Sequence, residues 1–551
     1  MLVRYLSLFF VAIHVAAGIV SAALPPREPA AVVYLSSLNG ALDDIDYLAQ
    51  AGGRPELSKK LADLLAGLNN LDGIDRTQPF GVFAFLPLDV AVGNASPELV
   101  GFIPITDMEA LKLTVVSVSA LSASPTEKSD RYELAVAGRS FQVLADQGHI
   151  LFTEQGELLD HPLPDLAALT SPLSGQYDIV VQLRQKGGPK LMWDMALLGA
   201  MSASDKAIAE LRKSSNPNDK LKIRAIDVSR KALVSVMSEA RSVWLGLRVS
   251  RESRNAVLDL KFEFTESGKV AKTLNSMASG SVAFAKDAGA RTPAGFHVHL
   301  ALPTEAQQLI VDLARVSREE YDPSQSIPEP ERTNVATLVD VVQQTVGEGQ
   351  YEVLVQFVGQ TQGGMTLVVG VRVADGNKFS DAVAKILPST VERGDVAGIQ
   401  LEAGEARGVR FVRIDQRMKD PDHERKVAAF YGSKPSLYLG TEPQTLWLLV
   451  GDGDALGDFS KVPELSTRTT AAGAPNSMVQ VAIHLSDWMG LLSLTSGKRD
   501  REFTAAAREA LKDPERDELR FDVMPTSDGL LFSLSLDEAY INLISAELCK
   551  E

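Results

Sequence analysis

The sequence predicts an α+β protein built by tandem duplication: antiparallel sheet units with strand-to-helix crossovers covering one face. Three observations carry that expectation. A strand-then-helix unit recurs along the chain, five longer segments recur in the same order, and hairpins are joined by short polar turns.

The recurring unit is plainest in GFIPITDMEALKL, residues 101–113. An apolar run ends at Ile105, Thr106 and Asp107 interrupt it, and Ala110, Leu111, Leu113 and Val115 follow. Thr106 with Glu109 three residues on reads as a capping box, which accounts for the polar residues without any chemistry. The same grammar returns at residues 258–274, 367–386 and 530–546, the last with Asp537 at the turn. Alternation with period two that gives way to a period near 3.6 marks a strand feeding a helix.

The longer segments pair in order. AVVYL at 31–35 answers FHVHL at 296–300, and the unit at 101–113 answers the one at 367–386. GHILFTEQGELL at 148–159 answers TLWLLVGDGDAL at 445–456. The stretch with Trp193 answers the stretch with Trp488, and the meander at 243–264 answers 518–536. Offsets that drift only by loop-sized amounts imply two halves of ~250 residues, a size within the range of single domains. The expected boundaries are a signal peptide at 1–22, a first α+β half at 23–288 and a second at 289–551, joined where KDAGARTPAG displaces core residues. The polar stretches 317–334, 416–426 and 466–477 read as solvated excursions from the second half.

MLVRYLSLFFVAIHVAAGIVSAALPP opens with one basic residue, Arg4, continues apolar to Val20 and exits through Ser21, Ala22 and Ala23. That is the pattern of a secretory signal, cut near Ala22 or Ala23. The other reading, an uncleaved anchor, is disfavoured because the run is short for a bilayer span of ~20 residues. Export to the periplasm or the extracellular space is expected, with no integral membrane span in the mature chain. Removal of Arg4 takes the formal charge from −16 to −17. That acidic balance repels phosphate backbones and anionic lipid, so nucleic acid is not an expected partner. The single cysteine, Cys549, excludes an internal disulfide and leaves stability to packing.

Candidate chemistries are sparse. His297 and His299 alternate on one strand and His484 lies on another, residue types that could ligate a metal. The sequence offset sets Val32 and Tyr34 against His297 and His299, so the shared architecture does not demand a metal, and packed histidines are the plainer reading. Asp452, Asp454 and Asp458 in GDGDALGD invite calcium, yet lack the glycine and distal glutamate of an EF-hand loop. A turn and helix cap accounts for them. No G-x-S-x-G, phosphate loop or H-E-x-x-H occurs in the chain. Cys549 has Glu547 and Glu551 nearby, which disfavours a thiolate. Asp43 and Asp44 form a carboxylate pair too ordinary in an acidic chain to single out, and Trp193 and Trp488 read as core anchors. No residue is assigned a catalytic, cofactor or metal role, and no cofactor is expected.

The signal-like start, GIDRTQPFG at 73–81, GFIPITDMEAL and the repeated hairpin-and-helix units together resemble the uncharacterised secreted proteins of planctomycete-type bacteria. The resemblance covers chiefly residues 30–160 and brings no functional residues with it. It implies a bacterial exported protein. The expectation is a non-enzymatic binding or scaffold protein of the cell envelope whose partner, an envelope protein or ligand, is unknown. The alternative is a hydrolase or metalloenzyme whose polar residues meet only in three dimensions.

Overall fold

The computed structural model describes residues 27–86, 97–117, 121–125, 131–136, 138–146, 148–161, 164–186, 190–213, 217–280, 283–284, 287, 291–320, 329, 331–360, 364–392, 396–417, 420–466, 477–489, 507, 511 and 513–548. The expected signal peptide and Cys549 lie outside them. The described residues fall into two compact units, one from the stretches up to 201, 237–265 and 541 onward, the other from 202–236 and 266–540.

In the first unit the strands are β1 (Ala31–Leu35), β2 (Phe80–Phe85), β3 (Glu98–Pro104), β4 (Leu121–Pro125), β5 (Arg131–Val136), β6 (Arg139–Asp146), β7 (His149–Thr153), β8 (Ile179–Arg184), β9 (Ala240–Ser250) and β10 (Asn255–Phe264). Their order is β4-β5-β6-β7-β3-β2-β1-β8-β9-β10, every neighbour antiparallel. β1 sits inside the sheet, which is why AVVYL is apolar at consecutive positions: Val32 and Tyr34 on one face and Ala31 and Val33 on the other are all buried. Phe83 stacks on Phe102 with centroids 4.8 Å apart and closes the core beside Tyr34.

In the second unit the strands are β11 (Ala294–Ala301), β12 (Gln350–Gln360), β13 (Gly364–Arg372), β14 (Val396–Ala406), β15 (Val409–Gln416), β16 (Ser436–Glu442), β17 (Thr445–Gly451), β18 (Val479–His484), β19 (Glu518–Thr526) and β20 (Gly529–Asp537). Their order is β14-β15-β16-β17-β13-β12-β11-β18-β19-β20, again antiparallel throughout. Each strand of the second order is ten labels on from its counterpart in the first. The hydrogen-bond register makes the correspondence residue by residue: the Ser36 amide donates to Asp178 O as the His299 amide does to Met478 O, and Arg184 donates to Ala30 O as His484 does to Pro293 O. His297 and His299 therefore stand at the positions of Tyr34 and Ser36, not Val32 and Tyr34. Alternating strands fit equally well when slid by two residues, so the sequence offset could not separate the two alignments.

All four strand-then-helix units have that form. β3 runs into a helix at Met108–Ser117, β10 into Lys269–Ala278, β13 into Gly376–Glu392 and β20 into Glu538–Leu548. The cap of the first is Asp107 rather than Thr106: its carboxylate accepts the amides of Glu109 at 2.8 Å and Ala110 at 3.2 Å. The Thr106 amide is engaged by Gly73 O.

The expected cover of one sheet face is corrected in the second unit, where both faces are covered. On one face Phe284, Leu354, Val368, Trp447 and Leu449 pack with Phe459 and Val462 of the helix Ala455–Ser466. On the other, Val373, Leu439 and Leu446 pack with Val341, Phe379 and Val383 of the helices Glu331–Gly347 and Gly376–Glu392. LVVGV of β13 and LWLLVG of β17 are near-continuous apolar runs, and such strands need cover on both sides. Gly370 of β13 leaves the space that Phe284 and Trp447 fill. Among the described residues no helix is long and apolar enough to cross a membrane.

Candidate functional site

Alternation along FHVHL sends His297 and His299 to one face of β11, and YEVLVQF sends Glu352, Leu354 and Gln356 to the same face of β12. The register sets His299 opposite Glu352 and His297 opposite Leu354. All are buried: His297 is 5%, His299 4%, Glu352 2% and Gln356 1% exposed. A carboxylate this deep must be compensated. Glu352 accepts the Ala283 amide at 2.7 Å through Oε2, and through Oε1 the Phe284 amide at 2.8 Å and His297 Nε2 at 3.1 Å. Burial opposes its ionisation, but the hydrogen bonds from His297, Phe284 and Ala283 outweigh burial and hold its pKa below the usual carboxylate value. Burial, with a smaller contribution from His297, lowers the pKa of His299 against the opposing pull of Glu352. Gly280 lies against the His299 ring.

The chain that Glu352 holds is pinned at further points. Gln356 Nε2 donates to Asp287 O at 2.6 Å, and Arg407 reaches both carboxylate oxygens of Asp287 at 3.1 Å. The Arg407 guanidinium lies over the rings of Phe459 at 4.7 Å and Trp447 at 5.4 Å. Phe284 meets Trp447 edge-on with centroids 5.1 Å apart. Residues 283, 284 and 287 are thus fastened to the sheet by a carboxylate, an amide, an ion pair and an aromatic contact.

His484 is not brought to this cluster. It lies four residues along β18 from Gln480, the residue facing His297, a distance of ~13 Å by strand rise. It belongs to a second cluster around Asp517, which is 0% exposed. Asp517 accepts His484 Nδ1 at 3.0 Å, the Ser486 amide at 2.8 Å and Arg291 at 3.4 Å. Burial opposes the Asp517 charge, yet the hydrogen bonds from His484 and Ser486 keep its pKa lowered. Burial raises the pKa of Asp487 although Arg291 is 3.4 Å away, and burial likewise raises that of Asp537. A histidine on a buried aspartate with a serine nearby invites a nucleophile reading. Such a nucleophile needs its hydroxyl on the base, whereas Ser486 is turned to the aspartate, its amide donating to Asp517 Oδ2 at 2.8 Å. Trp488 donates from Nε1 to Pro293 O at 2.8 Å and packs between Phe357 and Phe430, so it is a core anchor. The side chain of Trp193 lies outside the described residues.

In the first unit one member of the passed-over carboxylate pair is distinctive. Asp44, on the helix Leu38–Ala51, meets Asp178, the residue before β8, whose Oδ2 accepts the Val249 amide at 2.7 Å. Burial, then the charge of Asp178 and a hydrogen bond shared with it, then Asp43, push the Asp44 carboxyl up to about 7. Asp452, Asp454 and Asp458 do not converge. Asp452 accepts the Asp454 amide at 3.2 Å, and Asp458 accepts Thr366 Oγ1 at 2.8 Å and Lys461 at 3.2 Å. Among the described residues no group of three His, Cys, Asp or Glu could hold a metal ion.

No family model matches the chain, and no curated protein matches it. Among solved structures, that of crystal form IV of TP0453 is similar at 11% identity and a TM-score of 0.21, covering 44% of this chain and 81% of that one. A likeness of that size carries no argument. The reading of the site rests on its own geometry.

Glu352, Asp517 and Asp178 were missed in the sequence. One signal was present: Glu352 and Gln356 share the parity of the core residues Leu354 and Val358, and a charge on core parity marks a buried network. Nothing local marks Asp517 or Asp178, whose partners are distant in the chain.

Proposed function

We propose that this is an exported, non-enzymatic binding or scaffold protein of the bacterial cell envelope, formed by tandem duplication of an α+β half. The carrying observation is the use made of its buried carboxylates: Glu352 and Asp517 accept backbone amides and a histidine of their own chain. Groups committed in this way hold a fold together and present neither a lone pair nor a proton to a substrate. The identical strand order of the units and their matched register support the duplication. The signal-like start and the resemblance to secreted planctomycete-type proteins support export.

The second reading, a hydrolase or metalloenzyme without a local motif, draws on the His484–Asp517 pair. One set of measurements separates them. Intact mass from the native host is expected to lack the first 22 or 23 residues, and in-cell cross-linking to join the chain to a recurring envelope component. Metal content should be below stoichiometric. Ester, peptide or phosphoester hydrolysis that disappears in His484→Ala would replace the scaffold reading with the enzymatic one, and retention of Met1 would remove export.

A further inference from the structure

Residues 202–236 reverse the charge of the chain: they carry eight Lys or Arg against four Asp or Glu, in a protein of net −16. Most of this stretch is helical, ending in the helix Pro217–Glu239. Lys220, Lys222, Arg224 and Lys231 are exposed. At helical spacing Lys220, Arg224 and Lys231 fall on one face, with Asp227 as the single acidic residue among them. Some of the charge is answered locally: Lys222 pairs with Asp219 and Arg230 with Asp205, each at 2.7 Å, and Arg224 pairs with Asp312. Asp219 and Asp312 are themselves buried, so Lys222 and Arg224 stay with them, and Lys220 and Lys231 are exposed cations that the surface presents.

The same helix turns apolar where it is most exposed. Ala232, Leu233 and Val234 are consecutive and exposed, with Val236 beside them; Leu233 is 36%, Val234 39% and Val236 36% accessible. A run of exposed apolar residues is a fault in a globular surface unless something uses it. Cationic side chains around such a run are the composition of a helix that lies in a bilayer interface, its apolar residues among the acyl chains and its Lys and Arg at the headgroups. A purely anionic polymer would satisfy the charge and leave the apolar run in water.

We propose that residues 217–236, on the helix Pro217–Glu239, form a docking surface for anionic phospholipid bilayers. The acidity of the whole chain conceals it, because attraction to a charged surface is local and decays within a Debye length. The proposal deepens the envelope-binding reading and rests on it. Failure of vesicle binding would leave a protein partner, found by cross-linking, unaffected.

The test is co-sedimentation of the purified full chain with phosphatidylglycerol–phosphatidylcholine vesicles and with phosphatidylcholine vesicles. Binding is expected to the anionic vesicles alone and to weaken with salt. Lys220→Glu with Lys231→Glu should weaken it about tenfold or more. Lys269→Glu with Lys385→Glu makes the same change in net charge at exposed positions elsewhere and should leave binding intact. Leu233→Ser with Val234→Ser should weaken it several-fold at constant charge, with circular dichroism confirming that each variant is folded. No binding to anionic vesicles, or equal loss in both charge-reversed pairs, would overturn the proposal. So would full retention in the serine variant, or capture by heparin without vesicle binding, either of which would describe a polyanion site.

Discussion

His297 Nε2 lies 3.1 Å from Glu352 Oε1, two buried groups on adjacent strands that together fix a third segment of chain through the amides of Ala283 and Phe284. The equivalent position of the first unit is filled differently. Tyr34 occupies the position of His297, and its hydroxyl donates to Thr170 O at 3.0 Å. Continuing the register puts Pro79, one residue before β2, where Glu352 stands. One strand order therefore supports an apolar, tyrosine-anchored core in one unit and an ionised clamp in the other.

Glu352→Gln removes the charge but keeps the shape. The amide offers one oxygen where two backbone N–H groups and His297 now converge, and its NH2 opposes a donor. A loss of about 3 kcal/mol is expected, the scale of a buried polar network deprived of one charged partner. Urea unfolding followed by tryptophan fluorescence measures it. The pH sign follows from the lowered pKa: the stabilisation is present above the ordinary carboxylate value of 4.5 and lost as pH falls through the folded value below it. Glu352→Gln should therefore flatten the acid limb, and an unchanged limb would mean that Glu352 is not ionised in the fold.

His299 acts in a higher window. Its folded pKa is lowered from 6.5, so the unfolded chain takes up a proton first, and stability falls as pH drops below that value. His299→Gln should remove the slope between 6.5 and the onset of the carboxylate limb, leaving stability at pH 8 less affected. The comparison is of urea midpoints at the two pH values. A slope that survives the substitution would assign it to another group.

Asp44 carries the opposite sign. Its carboxyl is raised from 3.8 to about 7 by burial and by Asp178, so its contribution is complete below 3.8 and is lost as pH rises through about 7. Asp44→Asn keeps a hydrogen-bond donor for Asp178 and cannot ionise. The thermal midpoint of the variant should exceed that of the parent at pH 8 and converge with it at acid pH, and parallel profiles would dissolve the pairing.

How much of this was legible in the sequence depends on the range of the interaction. The strand-then-helix units were readable because alternation and helical spacing are local, and the five ordered segments all fall at matching positions in the two strand orders. The cap moved by one residue, from Thr106 to Asp107, because either side chain can reach the first free amides. The two-faced cover is written in the near-continuous apolar runs LVVGV and LWLLVG, whereas the general rule for antiparallel sheets predicts one covered face. His297 and His299 were singled out for their spacing, whereas their partner Glu352 is 55 residues from His297, and only the register brings them together. Asp44 was noticed for its neighbour Asp43, while the residue that matters most among its neighbours is Asp178.

Arg407 sets two local preferences against each other. With Gly408 it forms the two-residue link between β14 and β15, and both residues have positive φ, 56° and 80°. Such hairpin turns favour Asn-Gly, and a non-glycine residue there costs about 1 kcal/mol. By turn chemistry alone Arg407→Asn should stabilise. The guanidinium, however, answers Asp287, which is 4% exposed, and covers Trp447 and Phe459. An unanswered buried carboxylate costs about 3 kcal/mol or more, and the lost cation–π contacts add about 1. The larger effect decides the sign, so Arg407→Asn is expected to destabilise by about 3 kcal/mol after the backbone gain is subtracted. Arg407→Lys, which keeps the charge without the planar stacking, should fall between that variant and the parent. Urea unfolding of the three proteins gives the order, and an Asn variant at least as stable as the parent would show that the Asp287 pair contributes nothing.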